Sequence, residues 1–355
     1  MYHDHFTSVT KAVPVLGSEE CPIERIATSR DVAKLAQVSQ TTVSRVLSGH
    51  THVSPATRQR VMQAAESLGY YVNETARSMR TQKSKSIGLV IPSLMNPFYA
   101  EIAHTIYKYA KQIGRSTLIE LTLNNPALNR SAVNDLITRR VEGLLLASVS
   151  SQNPYIESYC REPVVPCVMY NRRLSQDIGN WVVLDNRQGA RQATEYLIDQ
   201  GHQKILFLAG DLAYSTAIDR LNGYRDTMRE NDLEPSVIYG QFEYAQAYQI
   251  VTETLNQSTT TSRYPTAIFA ANDLMAFAAI DAMTDKHIQP KSDIAVIGFD
   301  NISMASHRGI NLTTVSQRQE VMARAAVDGL FRLIDQPDLV VRQLIEPLLI
   351  IRDTA

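Results

Sequence analysis

Cysteine, tryptophan and long apolar runs are scarce in this sequence. The chain of 355 residues has three cysteines and one tryptophan. Cys21, Cys160 and Cys167 are odd in number and lack the paired spacing of zinc and redox motifs, which favours buried, reduced thiols. No apolar stretch approaches the roughly 20 residues of a membrane-spanning helix. Residues 1–27 lack the basic and apolar regions of a secretion signal, so we expect a cytoplasmic protein.

Motifs that mark common enzyme classes are absent as well. The sequence has no Gly-x-Gly-x-x-Gly after a strand, no P-loop, no nucleophile elbow and no His-Glu-x-x-His pair. His3-Asp4-His5 could chelate a metal ion, but nothing else in that tail completes a site. We therefore predict no catalytic residue, no metal site and no cofactor, and an enzyme is the weaker alternative.

Charge is distributed unevenly along the chain. Residues 28–85 hold nine basic and three acidic side chains, a net charge of +6. The whole chain has a net charge of −1, which leaves −7 for the remainder. A basic module attached to an acidic body suggests a polyanionic partner for the module alone.

The basic module shows the pattern of three short helices. Thr28 and Asp31 have the spacing of a capping box, Ser39 can cap a second helix, and Ser54 with Pro55 can begin a third. A tight turn between the first two helices predicts a helix-turn-helix unit, whose second helix enters the major groove of DNA. The side chains expected to form its core are Val32, Ala33, Leu35, Ala36, Val43, Val46, Leu47, Val61, Met62, Ala65 and Leu68.

The second helix carries the candidate DNA contacts. Gln40, Thr41 and Arg45 are expected to meet base edges, because Gln and Arg have forked hydrogen-bonding groups that match adenine and guanine. Hydroxyl side chains on the same helix suit phosphate contacts; these are Ser39, Thr42 and Ser44. The alternative is a helical bundle whose polar face binds nothing.

Beyond residue 85, apolar strands alternate with amphipathic helices, which predicts two parallel sheets covered on both faces. We expect ten strands, the last spanning 342–350. Asn171, Asn272 and Asp300 follow or end strands, where ligands bind in open α/β sheets, and Arg220 lies near the start of a helix. Amide, carboxylate and guanidinium groups beside aromatic faces suit a polyhydroxylated sugar. The aromatic candidates are Phe98, Tyr99 and Phe242.

One of these residues and one neighbouring residue have other interpretations. Phe98 could belong to the core. Asp273, which also follows a strand, could simply cap the next helix.

Several motifs together resemble the lactose-repressor and galactose-repressor family of bacterial transcriptional regulators. They include Asp31-Val32-Ala33, Thr42-Val43-Ser44-Arg45-Val46-Leu47, Asn96-Pro97-Phe98-Tyr99, Ala271-Asn272-Asp273, Gly298-Phe299-Asp300 and Leu312-Thr313-Thr314. The resemblance spans almost the whole chain from Thr28 onward. It implies an α/β fold with an N-terminal three-helix helix-turn-helix headpiece and a two-lobed, periplasmic-binding-protein-like domain of Rossmann-like lobes.

The resemblance also implies a division of the chain. We expect a disordered tail at 1–27, the helix-turn-helix domain at 28–72, a hinge helix and linker at 73–85, and an effector-binding and dimerisation domain at 86–355. The N-lobe is expected to comprise about 86–183 and 317–346, and the C-lobe about 184–316 and 347–353.

Residue roles follow from the same resemblance. Paired hinges enter the minor groove in this family, and Met79 stands where a leucine usually opens the central base step. Thr28, Asn73 and Ala76 complete the candidate DNA contacts, and Gln37 replaces a turn glycine usual in the family. Arg220, Asn272 and Asp300 match positions that hold effector hydroxyls, Asn171 matches a position that is often Asp, and Phe242 matches a stacking aromatic.

The implied function is that of a sequence-specific transcriptional regulator, a repressor controlled by a sugar or sugar derivative in the cleft. A homodimer would bind a pseudo-palindromic operator, and the C-terminus lacks the heptads that would favour a tetramer. A purine- or nucleoside-responsive corepressor-type regulator is an alternative. A stand-alone sugar-binding protein is a further one, but it would require an export signal in place of the basic headpiece.

Overall fold

The computed structural model describes residues 27–47, 52–70, 84–175, 177–257 and 265–355. The chain forms two compact units, Met1–Arg80 and Thr81–Ala355. The expected tail at 1–27 lies outside the described residues except for its last residue. The hinge residues Asn73, Ala76 and Met79 also lie outside them.

The smaller unit contains helices α1 (Ser29–Leu35), α2 (Gln40–Leu47) and α3 (Pro55–Ser67). Val32, Val43 and Val61 are completely buried where the three helices meet. The prediction that Leu35 and Met62 are core residues is wrong, because they are 54% and 52% exposed. Each lies about 100° around its helix from the buried stripe, and three short helices cover only one narrow stripe on one another.

The larger unit is built from two six-stranded sheets. Its strands are β1 (Ser86–Ile91), β2 (Ser116–Leu121), β3 (Leu144–Leu146), β4 (Cys167–Tyr170), β5 (Trp181–Leu184), β6 (Ile205–Ala209), β7 (Ser236–Tyr239), β8 (Ala267–Ala270), β9 (Ala295–Asp300), β10 (Thr313–Ser316), β11 (Arg342–Ile345) and β12 (Leu348–Ile350). Its helices are α4 (Pro97–Gln112), α5 (Asn129–Thr138), α6 (Pro154–Arg161), α7 (Asn186–Asp199), α8 (Ser215–Glu230), α9 (Tyr244–Gln257), α10 (Asp273–Thr284) and α11 (Gln319–Asp335).

The two sheets define two lobes. The first lobe has the strand order β11-β5-β4-β3-β1-β2, with every pairing parallel. The second has the order β12-β10-β9-β8-β6-β7, parallel except where β12 pairs antiparallel with β10. The chain passes between the sheets three times, after β5, after β10 and after β11. The predicted α/β architecture with an N-terminal three-helix unit is confirmed.

Two strand predictions need correction. The stretch 342–350 is two strands rather than one, and β11 and β12 belong to different sheets. The break falls at Pro347, which has no backbone N–H to donate to a ladder. The strand β10 was not predicted, because Thr313-Thr314-Val315 is short and has little apolar character.

Close packing of α7 on α8 positions one wall of the second lobe. A Cβ atom added at Gly223 of α8 would lie 2.3 Å from the carbonyl oxygen of Arg187 and 2.9 Å from the Cβ atom of Ala190. The glycine therefore lets the two helices approach at backbone distance.

We predict that Gly223→Ala lowers the free energy of unfolding by about 2 kcal/mol, within the usual cost of overpacking, because the clash is with backbone that cannot rotate away. Urea denaturation would measure the change. Gly309→Ala is the matched control, since the nearest atom there is 3.6 Å from the added Cβ, and a change of about 0.5 kcal/mol or less is expected. Equal stability of the two variants would contradict this account of the helix pair.

Candidate functional site

The second helix of the smaller unit presents a polar surface. Gln40, Thr41 and Arg45 are all exposed on α2. The side-chain amide of Gln40 donates a hydrogen bond of 2.7 Å to the hydroxyl of Ser29 on α1. The structure thus places the three expected base readers on one short helix, with Gln40 tied to the neighbouring helix.

Hydroxyl groups at the helix starts are engaged in capping. The Ser39 hydroxyl accepts a 3.1 Å hydrogen bond from the backbone N–H of Thr42 and lies 2.9 Å from the Thr42 hydroxyl. The N–H and hydroxyl of Thr28 donate to the carboxylate of Asp31 at 2.8 and 2.6 Å. Ser44, on α2, is half-buried. Between α1 and α2, Gln37 adopts a left-handed φ of 53°, so the turn keeps the conformation that usually favours glycine.

A small cavity lies at the carboxyl ends of the strands in the larger unit. Its volume is about 30 Å³, roughly the space of one water molecule. All seven side chains expected to contact an effector line it, together with four others. The lining residues are Asn96, Phe98, Tyr99, Asn171, Arg172, Thr216, Arg220, Phe242, Asn272, Asp300 and Gln317.

Arg220 connects the elements around this cavity. Its side chain is 2% exposed, and its Nε atom donates a 2.8 Å hydrogen bond to the Oδ1 atom of Asn186 at the start of α7. One Nη atom donates to the carbonyl of Ala271, after β8, and lies 3.5 Å from Asp300. The guanidinium also stacks at 3.7 Å on the ring of Phe299. Burial lowers the pKa of Arg220 to about 10, which still leaves it charged at neutral pH.

Asp300 ends β9 and accepts a 2.5 Å hydrogen bond from the side-chain amide of Gln317. Burial raises its pKa to about 6, although the nearby Arg220 opposes that shift. Its backbone has a φ of 126°, a region that non-glycine residues rarely occupy. The backbone thus directs this carboxylate into the cavity despite a local conformational cost.

Asn272 and Asp273 have different roles although they are adjacent. The Asn272 side chain caps α10 by accepting a 2.8 Å hydrogen bond from the N–H of Met275, and it also lines the cavity. Asp273 is fully buried, where it accepts hydrogen bonds from the hydroxyl of Thr314 and the N–H of Ile302. The alternative that Asp273 caps a helix is therefore wrong, because Asn272 holds that position.

The other four lining residues were not predicted from the sequence. Arg172 directly follows the predicted Asn171, so the rule about strand ends could have identified it. Gln317 follows β10, a strand that was not predicted, so the same rule could not have identified it. The Arg172 guanidinium stacks at 3.6 Å on the ring of Tyr214. Three buried atoms of the lining have no hydrogen-bond partner in the part of the chain that the structure describes: Asn171 Oδ1, Arg172 Nε and Gln317 Oε1.

Phe242 is an aromatic wall of the cavity. Its ring packs so closely on Gly210 that a Cβ atom there would lie 2.2 Å from the ring. Phe242 and the preceding Gln241 both have left-handed φ values, 64° and 58°. Because ligand cavities for small molecules usually measure about 300–1,000 Å³, this arrangement must open before a sugar-sized molecule can enter.

Comparisons with known proteins match both units. The family described as "Bacterial regulatory proteins, lacI family" matches residues 28–73. The family described as "Periplasmic binding proteins and sugar binding domain of LacI family" matches residues 84–348. The chain is 32% identical over 337 residues to the HTH-type transcriptional repressor PurR of Histophilus somni, covering 91% of this chain and 100% of that protein. It is 32% identical over 334 residues to the ribose operon repressor of Escherichia coli, covering 93% and 100%.

Solved structures are similar over the same extent. A lac repressor dimer bound to operator and the anti-inducer ONPF has a TM-score of 0.84 and 30% identity, covering 93% of this chain and 99% of that one. The complex of the transcriptional regulator CelR with cellobiose has a TM-score of 0.69 and 30% identity, covering 93% and 100%. Among the described residues, no helix is long and apolar enough to cross a membrane.

We predict that Asp300→Asn reduces the pH dependence of stability between about pH 4 and pH 6. The folded-state pKa of Asp300 is about 6, above its ordinary value of 3.8. The folded protein therefore binds this proton more tightly than the unfolded chain does. The resulting stabilisation is complete below the unfolded pKa and is lost as pH rises through the folded pKa. The charged or polar groups facing Asp300 are Arg220, Arg172, Gln317, Glu101 and Asp273.

Thermal melts at pH 4, 5, 6 and 7 test this prediction. The melting temperature of wild type should fall over the range more steeply than that of Asp300→Asn, and burial of Asp273, which raises its pKa, leaves the variant some slope. Asp338→Asn, at an exposed position, should keep the wild-type slope. Identical slopes for all three proteins would contradict the assignment.

Proposed function

Because this chain belongs to the LacI family of bacterial regulatory proteins, we propose that it represses transcription by binding operator DNA under the control of a small effector. One observation carries the proposal: a three-helix unit whose second helix exposes the candidate base readers and a two-lobed domain with a polar cleft occur in one chain. The family assignment and the relatives, which are named as transcriptional repressors, support a regulator rather than an enzyme. Such a protein would act in the cytoplasm, at the nucleoid.

The DNA-binding side of the proposal rests on α2. Gln40, Thr41 and Arg45 would read base edges in the major groove, while hinge residues including Met79 would enter the minor groove. A homodimer would place two such units on a pseudo-palindromic operator. The similar lac repressor structure is a dimer on operator, which supports this arrangement.

The effector side rests on the cleft. Amide, carboxylate and guanidinium groups suit a polyhydroxylated molecule, and we propose a sugar or sugar derivative. A similar regulator was solved with cellobiose, and a relative is named for the ribose operon. A purine or nucleoside is the second candidate, because Phe98, Tyr99 and Phe242 offer aromatic faces on which a planar base could stack.

Control of DNA binding would pass through the two lobes. The cavity of about 30 Å³ cannot hold such an effector, so binding would favour an arrangement in which the lobes are farther apart or Phe242 has moved. An effector shifts the population only as far as it prefers one arrangement. The change would reach the hinge at 73–85 and alter its fit to the operator.

We predict that Arg45→Ala weakens binding to the preferred DNA sequence by about 10- to 100-fold, because a bidentate base contact contributes ~1–3 kcal/mol. A duplex library with randomised sequence would first yield the sequence preferred by the full wild-type chain. Fluorescence anisotropy would then give the affinities. Arg139→Ala, an exposed arginine paired with Glu120 at 3.5 Å, is the control that should keep wild-type affinity.

The pattern of loss distinguishes the possible roles of Arg45. Loss of preference at one base pair would support base reading, whereas a uniform loss over all sequences with a shallower salt dependence would show a phosphate contact. Failure of the wild-type chain to select any sequence would overturn the proposed regulator.

We predict that the cleft binds a small polar effector that raises the melting temperature. A ligand at 100 times its dissociation constant stabilises by about 2.7 kcal/mol. Thermal melts with D-ribose, cellobiose, inosine and hypoxanthine would show which molecules raise the melting temperature. Operator binding would then be measured in the presence of each of those molecules. Gln317→Ala should weaken the apparent affinity for the effector about tenfold, because a net hydrogen bond contributes ~1–1.5 kcal/mol. Gln289→Ala, at an exposed position, should leave this affinity unchanged. Equal affinities of the two variants would place the site elsewhere.

A further inference from the structure

We propose that the cleft contains an anion subsite formed by Arg172 and the N-terminus of α8, and that the effector therefore carries a carboxylate or phosphate group. This inference rests on the proposed function, because it takes the cleft as the effector site. It goes beyond that function by assigning a charge to the ligand.

The first observation is a buried cation that forms no salt bridge within the described part of the chain. Arg172 is 7% exposed, and its Nε atom has no hydrogen-bond partner among the described residues. Its neighbours differ in this respect, since Arg173 pairs with Asp219 at 3.0 Å and Arg220 lies 3.5 Å from Asp300. Buried polar groups are nearly always satisfied, and a buried charge without a partner is especially unfavourable. Arg172 is therefore the natural place for a ligand's negative charge.

The second observation is the charge balance of the lining. Arg172 and Arg220 contribute two positive charges, and Asp300 is the only acid among the eleven lining residues. Its carboxylate is already bonded to Gln317 and close to Arg220. The nearby Glu101 accepts hydrogen bonds from the N–H of Ser303 and the side-chain amide of Gln319. The two arginines of the lining thus outnumber its one acid, and neither Asp300 nor Glu101 forms a salt bridge with Arg172.

The third observation is the position of α8. This helix of 16 residues begins directly after Tyr214, and no side chain caps its N-terminus. The first N–H groups of a helix have no partner within the helix and carry partial positive charge, so they bind anions. Thr216, in the first turn, lines the cavity. Arg172, stacked on Tyr214, therefore lies beside a second group that prefers a negative charge.

The geometry of the stacked guanidinium also suits an oxyanion. Contact with the Tyr214 ring covers one face of the guanidinium plane and leaves its N–H groups directed outward in that plane. A carboxylate or phosphate accepts two parallel hydrogen bonds from such an edge. The unpartnered oxygens of Asn171 and Gln317 would accept hydrogen bonds from hydroxyl or N–H groups on the rest of the ligand. The chemical class is thus an anionic, hydroxylated molecule such as a sugar phosphate, a sugar acid or a nucleotide.

The test compares ligands that differ in charge. The full-length wild type, Arg172→Gln and Arg139→Gln would be melted with inorganic phosphate and with matched sets: D-glucose, D-glucose 6-phosphate and D-gluconate; D-ribose and D-ribose 5-phosphate; inosine and inosine 5′-monophosphate. Arg139→Gln removes one exposed positive charge of the first lobe. We expect at least one anionic probe to raise the melting temperature of wild type and Arg139→Gln, with at least a tenfold weaker apparent affinity for Arg172→Gln. Comparison of phosphate esters with D-gluconate identifies which anion is bound.

The same variants give a second readout without any ligand. Since the buried Arg172 forms no salt bridge with the residues that the structure describes, Arg172→Gln should melt at the same temperature as wild type or a few degrees higher. A lower melting temperature together with an unchanged response to every anionic probe would show a structural role and overturn the proposal. A response to neutral sugars alone, equal in wild type and Arg172→Gln, would also overturn it while leaving the effector cleft intact. Failure of the proposed function itself would appear separately, as loss of sequence-selective DNA binding by wild type.

Discussion

The guanidinium of Arg220 lies in the interior of the second lobe, where water cannot solvate it. A cation in such a place must be surrounded by acceptors, or the protein loses stability. The acceptors come from three separate elements: Asn186 at the start of α7, the carbonyl of Ala271 after β8, and Asp300 at the end of β9. Satisfying this one charge therefore fixes three strand-end segments relative to one another, and the cleft is built on that arrangement.

Backbone conformation at the cleft shows what this arrangement can support. Asn171, Phe242 and Asp300 line the cavity with positive φ values of 65°, 64° and 126°. Such conformations cost roughly 1–3 kcal/mol each in non-glycine residues and persist only where the surrounding contacts fix them. All three residues line the same cavity. Their backbone therefore accepts an unfavourable conformation in order to direct these side chains toward it. The Phe242 ring, which packs on Gly210, is one of the walls of this cavity.

Features that depend on a local sequence pattern could be predicted from the sequence. Features that depend on contacts between distant residues could not. Polar residues after apolar strands identified Asn171, Asn272 and Asp300, because parallel strands bring their carboxyl ends to one edge. The same rule extends to Arg172, but its contact with Tyr214, more than forty positions away and in the other lobe, could not be predicted. Helical periodicity predicted the headpiece but not the exposure of Leu35 and Met62, because a short bundle buries only a narrow stripe. The cavity volume depends on how side chains from several distant elements pack together, and it could not be predicted.

The position of Arg172 connects ligand charge to the arrangement of the lobes. Arg172 follows β4 of the first lobe, whereas Tyr214 precedes α8 of the second, so their stacking crosses the boundary between the lobes. Arg173 crosses the same boundary through its 3.0 Å salt bridge to Asp219. An anion bound beside Arg172 would interact with groups from both lobes, and its energy would change whenever their spacing changes. Differential interaction of this kind is what an allosteric ligand requires. The burial of Arg172 without a hydrogen bond at its Nε atom would thus make this residue effective as the point where effector binding acts on the lobes.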